Sequence, residues 1–451
     1  MTTRKLEDLL LELRRRDVRI SADGDRLRIS APKGTLDQTL KDELKRNKAS
    51  ILLYLQESLQ SAPPIEAVGR EVAALPLSFA QQRLWFLHQL IPDNPFYNMP
   101  IVWRLSGCLN VGALQKSLTD LVARHETLRT TIRGDGEAGV QVIAPPGEVE
   151  VGVEDLTGVA ASEREERARR WIEEESRRPF DLAVGPLLRA HVLKLADEDH
   201  VLQLTLHHII GDGWSLPVLY RDLEEFYRAR CHGDEARLPE LTVQYADFSV
   251  WQRAWLSGSL LDRQLGYWEE KLEGIAELQL PTDRARPAVP SYEGARETVV
   301  LPAPLTARLR ALGRRERATL YMVLLAGFKV LLQRYTGQED LVVGSPIANR
   351  TLSELEELIG FFVNSLVMRT DLSGDPGFVE LVRRVRRVAL EAYAHQDLPF
   401  ERLVEALDPE RKVSRNPLFQ VMFALQNAPA KQNRLEGTAL TIGEFPARVM
   451  T

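Results

Sequence analysis

Two adjacent histidines precede an Asp-Gly pair in LTLHHIIGDGWSLPVL, residues 204–219. Imidazole is the side chain that gains and loses a proton near neutral pH. A tight turn after the strand lets Asp212 fold back on the structure, and Gly213 lets the backbone approach a ligand closely. A base on one wall with backbone amides opposite is an arrangement for acyl transfer. Taken alone, a histidine at a strand end reads as a satisfied core residue; the Asp212-Gly213 pair tips the reading toward catalysis. In VLQLTLHHI, Leu202, Leu204 and Leu206 share one strand face, so His208 is expected to continue that apolar face and His207 to join Gln203 and Thr205 opposite. Rings that diverge in this way are poor joint ligands, and no metal site is expected.

The elements that must hold this stretch read as a large α/β body. Helical spacing over 111–124 and 161–177 is interleaved with alternating strands such as 200–208 and with the buried run EDLVVGSPI. No internal repeat and no low-complexity tract interrupts it. Ahead of the body lies a smaller unit. Leu6, Leu9, Leu10 and Leu13 recur at helical spacing, and VRISADGDRLRIS then alternates, with Val18 and Ile20 answered by Leu27 and Ile29 across an Asp-Gly turn. Thr35 is placed to cap a helix with Leu36, Leu40 and Leu44, and a further helix carries Ile51, Leu52 and Leu55. Residues 1–60 therefore form a small αββαα unit, and the proline-containing stretch 61–74 forms a semi-rigid linker. Within the body, the Ser-Gly break in WLSGSLLDRQLGYWEEKL marks a second boundary, dividing 75–262 from 263–451.

Composition narrows the function classes. With 44% hydrophobic and 27% charged residues the chain is ordinary globular protein. Its 58 basic and 64 acidic residues are mixed along the sequence, with a net charge of -6, and nucleic acid is not expected as a partner. The two cysteines, Cys108 and Cys231, lack metal-ligand spacing, which points to a reducing compartment, the cytoplasm. No run approaches the ~18 apolar residues that a membrane span requires.

HHIIGDGWS resembles the HHxxxDG signature of condensation domains of nonribosomal peptide synthetases. Other blocks resemble that family's motifs in order: LSFAQQRLWFL, RHETLRT, YADFSVWQ, IGFFVNSLVMR, HQDLPFERLVEAL and RNPLFQVMF. The resemblance covers roughly residues 74–451. The αββαα unit, centred on ADGDRLRISAPKG, separately resembles the TubC-type docking domain that begins some synthetase subunits. Together they imply an α/β fold in which the docking domain precedes two chloramphenicol-acetyltransferase-like lobes, arranged as a V. The implied reaction joins a carrier-bound acyl or peptidyl thioester to the amine of a downstream carrier-bound aminoacyl thioester. No cofactor is expected on the chain itself, since both substrates ride on the phosphopantetheine of peptidyl carrier proteins. An upstream synthetase subunit is expected to dock in trans through its C-terminal tail, on Arg19, Arg26 and Arg28.

The resemblance also implies roles for single residues. His208 contacts the acceptor amine, while His207 and Asp212 are mainly structural, Asp212 through an ion pair. Arg369 is the first candidate for that pair, with Arg129 and Arg350 as alternatives. Gly213 supplies close backbone approach, and Trp214 and Ser215 line the acceptor side. Gln81, Arg83 and Asn364 are candidates for the substrate tunnel, but the preferred reading of Gln81 and Arg83 is lobe packing and that of Asn364 a buried asparagine satisfying backbone. The family pattern runs beyond RNPLFQVMFALQNAP through a further strand and closing helices, so a second lobe lacking its final segment is expected. Within the superfamily, cyclisation is disfavoured because both histidines are present, and epimerisation because DGWS and HQDLPFE resemble the subtype that takes an L-configured donor. A catalytically silent interaction fragment is the reading from a different class.

Overall fold

Residues of both parities on the strand Asp199–His207 are buried: Val201, Gln203 and Thr205 on one face, Leu202, Leu204 and Leu206 on the other. A strand covered on both sides belongs at the centre of a sheet packed with helices. The structure, a computed structural model, describes residues 13, 18–23, 26–31, 38–48, 51, 62–71, 74–135, 138–285, 294–407, 416–426 and 440–446.

At the N-terminus, strands β1 (Arg19–Asp23) and β2 (Arg26–Ser30) form a two-stranded antiparallel hairpin in which Ile20 stands opposite Ile29 and Ala22 opposite Leu27. Leu40 and Leu44 of the helix Gln38–Arg46 bury against Leu13, Val18 and Ile51, with Leu27 packed partly on them. The helices expected over 4–16 and from 51 onward lie, but for Leu13 and Ile51, outside the described residues.

The chain divides into two compact units. One comprises Ile65–Ala254, Ser353–Val363 and Asn427–Thr451; the other takes in Met1–Pro64, Trp255–Leu352 and Asn364–Gln426. The histidine unit holds β3 (Leu75–Pro76), β4 (Asn98–Ser106), β5 (Thr130–Asp135), β6 (Ala138–Ile143), β7 (Val151–Asp155), β8 (Leu188–Ala196) and β9 (Asp199–His207). Its larger sheet runs from the strand Thr441–Glu444 through β4, β9 and β8 to β7; its smaller sheet has the order β3-β6-β5. Among the described residues, only the β7–β8 pair in the larger sheet is parallel. Helices Val111–Arg124 and Ser215–His232 bury Leu114, Leu118, Leu121, Leu219 and Leu223 in one core with Leu202, Leu204 and Leu206 of β9. The charges of RHETLRT are structural: buried Asp222 accepts hydrogen bonds from Arg124, His125 and Arg221. The stretch expected as linker is anchored at its end, where Arg70 forks onto buried Asp247 and also reaches Glu126.

In the other unit, β10 (Asp340–Ile347) and β11 (Asn364–Asp371) pair antiparallel, and helices Leu320–Thr336 and Phe378–Ala394 cover their core. Helix Gly258–Leu272 buries Trp268 and Leu272 in that core, so a boundary at 262 would cut through it; the division falls at Ala254/Trp255. Ser353–Val363 then returns to the histidine unit, a crossing that no local sequence signal announces.

Candidate active site

Strand β9 ends one residue earlier than the alternation implies. Asn98 of β4 pairs with His207, and the next amide, that of His208, leaves the ladder and donates to Tyr97 O at 2.7 Å. Residues His208–Ile210 form a single 3-10 turn, followed by the helix Ser215–His232. The expected placement of His208 on an apolar strand face is therefore corrected: it stands on a turn. Polar Gln203 and Thr205 are as buried as the leucines, so periodicity alone did not distinguish a solvent face from one covered by the helix Arg164–Arg177, where Gln203 Nε2 donates to Ser176 Oγ.

The two imidazoles have different surroundings. His207 is 2% exposed, its ring lying among those of His88, Tyr97 and Phe180, and its Nδ1 accepts from Ile209 N at 3.1 Å. Burial, assisted by the neighbouring His88 and His208, pushes its pKa down to about 3, so the ring is neutral at physiological pH. His208 is half-buried, and its Nδ1 lies 2.8 Å from Gly211 O. A carbonyl oxygen only accepts, so Nδ1 carries the hydrogen and neutral His208 presents a lone pair at Nε2. Among the described residues no hydrogen bond engages that Nε2. The ring meets Phe361 with centroids 4.9 Å apart and planes at 68°.

Asp212 is fully buried and works as a turn hub. Its Oδ1 accepts from Ser215 N and Ser215 Oγ, both at 2.8 Å, and its Oδ2 accepts from Phe362 N at 3.0 Å. Ser215 Oγ also accepts from Gly360 N at 3.1 Å and lies 2.9 Å from Gly360 O. Ser215 is 1% exposed with its hydroxyl engaged on protein, so its expected place among the substrate-lining residues is corrected. Gly213 and Trp214 are exposed beside it. A Cβ at Gly213 would meet nothing within 4 Å, so the fold itself does not demand glycine there.

Of three further candidates, Arg369 departs from expectation, while Gln81 and Asn364 take their packing and backbone-satisfying readings rather than the tunnel one. Arg369 forks onto Asp340 of the adjoining strand and donates from Nη1 to the carbonyls of Lys271 and Glu273, closing the end of the helix Gly258–Leu272. It is thereby a strand and helix clamp of its own unit, which corrects its assignment to Asp212; Arg129 likewise reaches Glu126 and Ala144 O. Gln81 is fully buried: Oε1 accepts from Ser78 N in the capping box of the helix Phe79–Leu90, and Nε2 donates to Ile209 O. Instead of lining a tunnel it pins the turn that carries His208. Asn364 donates to Gln396 O and Leu398 O and accepts from Ser365 N and Phe400 N, so its amide is committed to backbone and caps the helix Phe400–Leu407. Arg83 is half-buried on the helix Phe79–Leu90. The side chains of Arg19, Arg26 and Arg28 lie outside the described residues; their backbones pair with Ser30, Asp23 and Ser21.

Sequence reading did not assign Tyr245, Gly360 or Phe361. Tyr245 Oη lies 2.6 Å from Phe361 O, to which it donates, and 2.8 Å from Ser78 Oγ. The blocks LSFAQQRLWFL, YADFSVWQ and IGFFVNSLVMR thus meet at the turn that bears HHIIGDGWS. Their recurrence as blocks was a signal; the bonds between them span 116 to 167 residues and leave no local trace. Among the described residues no group of three or more His, Cys, Asp or Glu is placed to hold a metal ion.

The sequence pattern described as Condensation domain matches residues 72–449, and that of the TubC N-terminal docking domain matches residues 6–57. A linear gramicidin synthase polypeptide of Brevibacillus parabrevis is 53% identical over 380 residues, covering 84% of this chain but 5% of that protein. Phosphinothricin tripeptide synthetase PhsC of Streptomyces viridochromogenes is 46% identical over 354 residues, 78% of this chain and 33% of its own. The chain thus spans a small part of each of these relatives. Among solved structures, the X-domain from teicoplanin biosynthesis is 34% identical with a TM-score of 0.77, covering 85% of this chain and 84% of that one. The first condensation domain of the CDA synthetase shares the fold at 22% identity, with a TM-score of 0.66 over 82% of this chain and 86% of that one.

Proposed function

The chain belongs to the condensation-domain family, with a TubC-type docking domain ahead of it, and from that premise we propose that it forms amide bonds in nonribosomal peptide synthesis. The acceptor is an aminoacyl thioester and the donor an acyl or peptidyl thioester, each held on the phosphopantetheine of a carrier protein. The observation that carries the reading is the 2.8 Å contact between His208 Nδ1 and Gly211 O: a carbonyl only accepts, so the hydrogen sits on Nδ1 and Nε2 is left as the acceptor. An α-amine has a reference pKa of about 7.7 to 8.0, so much of it is neutral near pH 7 and needs orientation more than deprotonation. Nε2 takes its proton as the C–N bond forms, and the proton passes to the thiolate released when the C–S bond breaks. Gly213 and Trp214, both exposed, are the neighbouring residues that would meet such an amine.

Upstream, the docking domain captures the C-terminal tail of a partner subunit by strand addition. Among the described residues the β1–β2 hairpin pairs with no third strand, and the edge of a hairpin is where an extended peptide adds. Thirteen basic and ten acidic side chains within residues 1–60 favour an acidic tail. The work takes place in the cytoplasm, the reducing compartment to which the spacing of Cys108 and Cys231 points. Mass spectrometry of two loaded carriers mixed with the full chain tests the reading. Amide product on the downstream carrier supports it, and transfer to water or to nothing contradicts it.

One observation favours a second reading. The teicoplanin X-domain, 34% identical, has also been solved as a complex with OxyB. On that precedent the chain would be a binding module, silent in the amide assay and retaining a protein partner when His208 is replaced.

A further inference from the structure

The motif residues Asp212 and Ser215 reach beyond their own turn. Both hold the segment Gly360–Phe362, which arrives from about 150 residues further along the chain: Ser215 Oγ bonds the amide and lies beside the carbonyl of Gly360, and Asp212 Oδ2 accepts from Phe362 N. Tyr245 Oη holds the residue between them through Phe361 O, and is itself fixed by Ser78 Oγ. Gly360 permits this closeness, because a Cβ there would fall inside the van der Waals envelope of the Tyr245 ring. The side chain left to project from so constrained a backbone is Phe361, and its ring lies edge-to-face on the imidazole of His208.

We propose that Phe361 is a positioning residue: together with the Nδ1–H bond to Gly211 O it fixes the plane of the His208 ring, so that the Nε2 lone pair holds one direction. A ring tethered by one hydrogen bond can still pivot about that bond. A second contact to its edge or face removes the pivot, and proton transfer is steep in such misalignment. Asp212, Ser215, Tyr245 and Ser78 act through Phe361 and do not touch the substrate. The inference rests on the reading of His208 as the reacting group.

Two readouts on the full chain test it: the single-turnover rate of amide formation between loaded carriers, and nitrogen NMR of labelled histidines, with the His208 signals assigned by their loss in His208→Gln. Phe361→Ala is expected to lower the rate constant by about ten- to hundredfold, while the half-saturating carrier concentration and melting temperature stay near those of the parent. The His208 signals should move from a single Nδ1–H tautomer toward a mixture. Phe361→Tyr, which keeps the ring, should restore both. A rate constant and a tautomer pattern unchanged in Phe361→Ala would overturn the inference. If Phe361→Ala fails to fold, Phe361→Leu and Tyr245→Phe are measured in the same way, and an unaltered His208 pattern in both overturns it equally. Should the parent chain itself form no amide, the condensation reading fails, and the NMR comparison still decides whether Phe361 orients the ring.

Discussion

His207 and His208 are chemically identical neighbours with opposite fates, and the difference lies in what encloses each. His207 titrates at about 3 in the folded protein against about 6.5 when unfolded. The unfolded chain therefore binds the proton first as pH falls, so the stability contributed by the neutral buried ring is complete above 6.5 and is lost between there and 3. Urea denaturation from pH 7 to pH 4 should show a decline of about 1.4 kcal/mol per pH unit from this site. His207→Phe should remove that component of the slope while lowering stability at pH 7, since it orphans Ile209 N–H; a slope equal to the parent's would refute the assignment. Asp212→Asn exchanges an acceptor-only group for one that turns a donor toward Ser215 or Phe362. The predicted cost is about 1–3 kcal/mol of unfolding free energy, read from the same denaturation curves, and an unchanged midpoint would contradict the hub role.

At the scale of elements, the helix Leu320–Thr336 places Lys329 wholly within the second core, its Nζ donating to Leu341 O of β10 and Met368 O of β11. Burial pushes its pKa down to about 7, against about 10.4 for a free lysine. The unfolded state then holds the proton over the interval between these values, so stability should rise as pH climbs from 7 toward 10. Lys329→Met should flatten that rise in thermal melts without unfolding the protein at pH 7, and an identical pH dependence would show that the lysine is not the titrating group. Sequence reading found the helices Val111–Arg124 and Arg164–Arg177 to within a few residues, because their apolar spacing is local. It could not find what Lys329 and Arg369 do, nor which backbone groups Gln81 and Asn364 satisfy. Each satisfies backbone groups of another element, and a side chain's partner across a fold has no period. The same limit applied to Ser215, whose position beside Gly213 placed it near the chemistry but whose hydroxyl faces the segment Gly360–Phe362.

For the whole molecule, a docking domain and a condensation domain share one chain, and under the proposed function the first selects which donor-bearing subunit arrives and the second joins what that subunit delivers. Binding of the upstream tail to the full chain should weaken with salt, since exposed charge pairs are screened over ~10 Å at 0.1 M. Changing Arg26 and Arg28 to glutamate should weaken it further, and calorimetric titration giving equal affinity for both versions would remove the hairpin as the docking surface. The motif blocks were legible because each is short and contiguous, whereas the return of Ser353–Val363 to the histidine unit was not, since it depends on where the entire second core directs the chain. The account stands on one imidazole. Single-turnover amide formation between two loaded carriers should fall by about two to four orders of magnitude in His208→Ala, with an unfolding curve matching the parent's. Amide formed by that variant at the parent's rate would contradict the account.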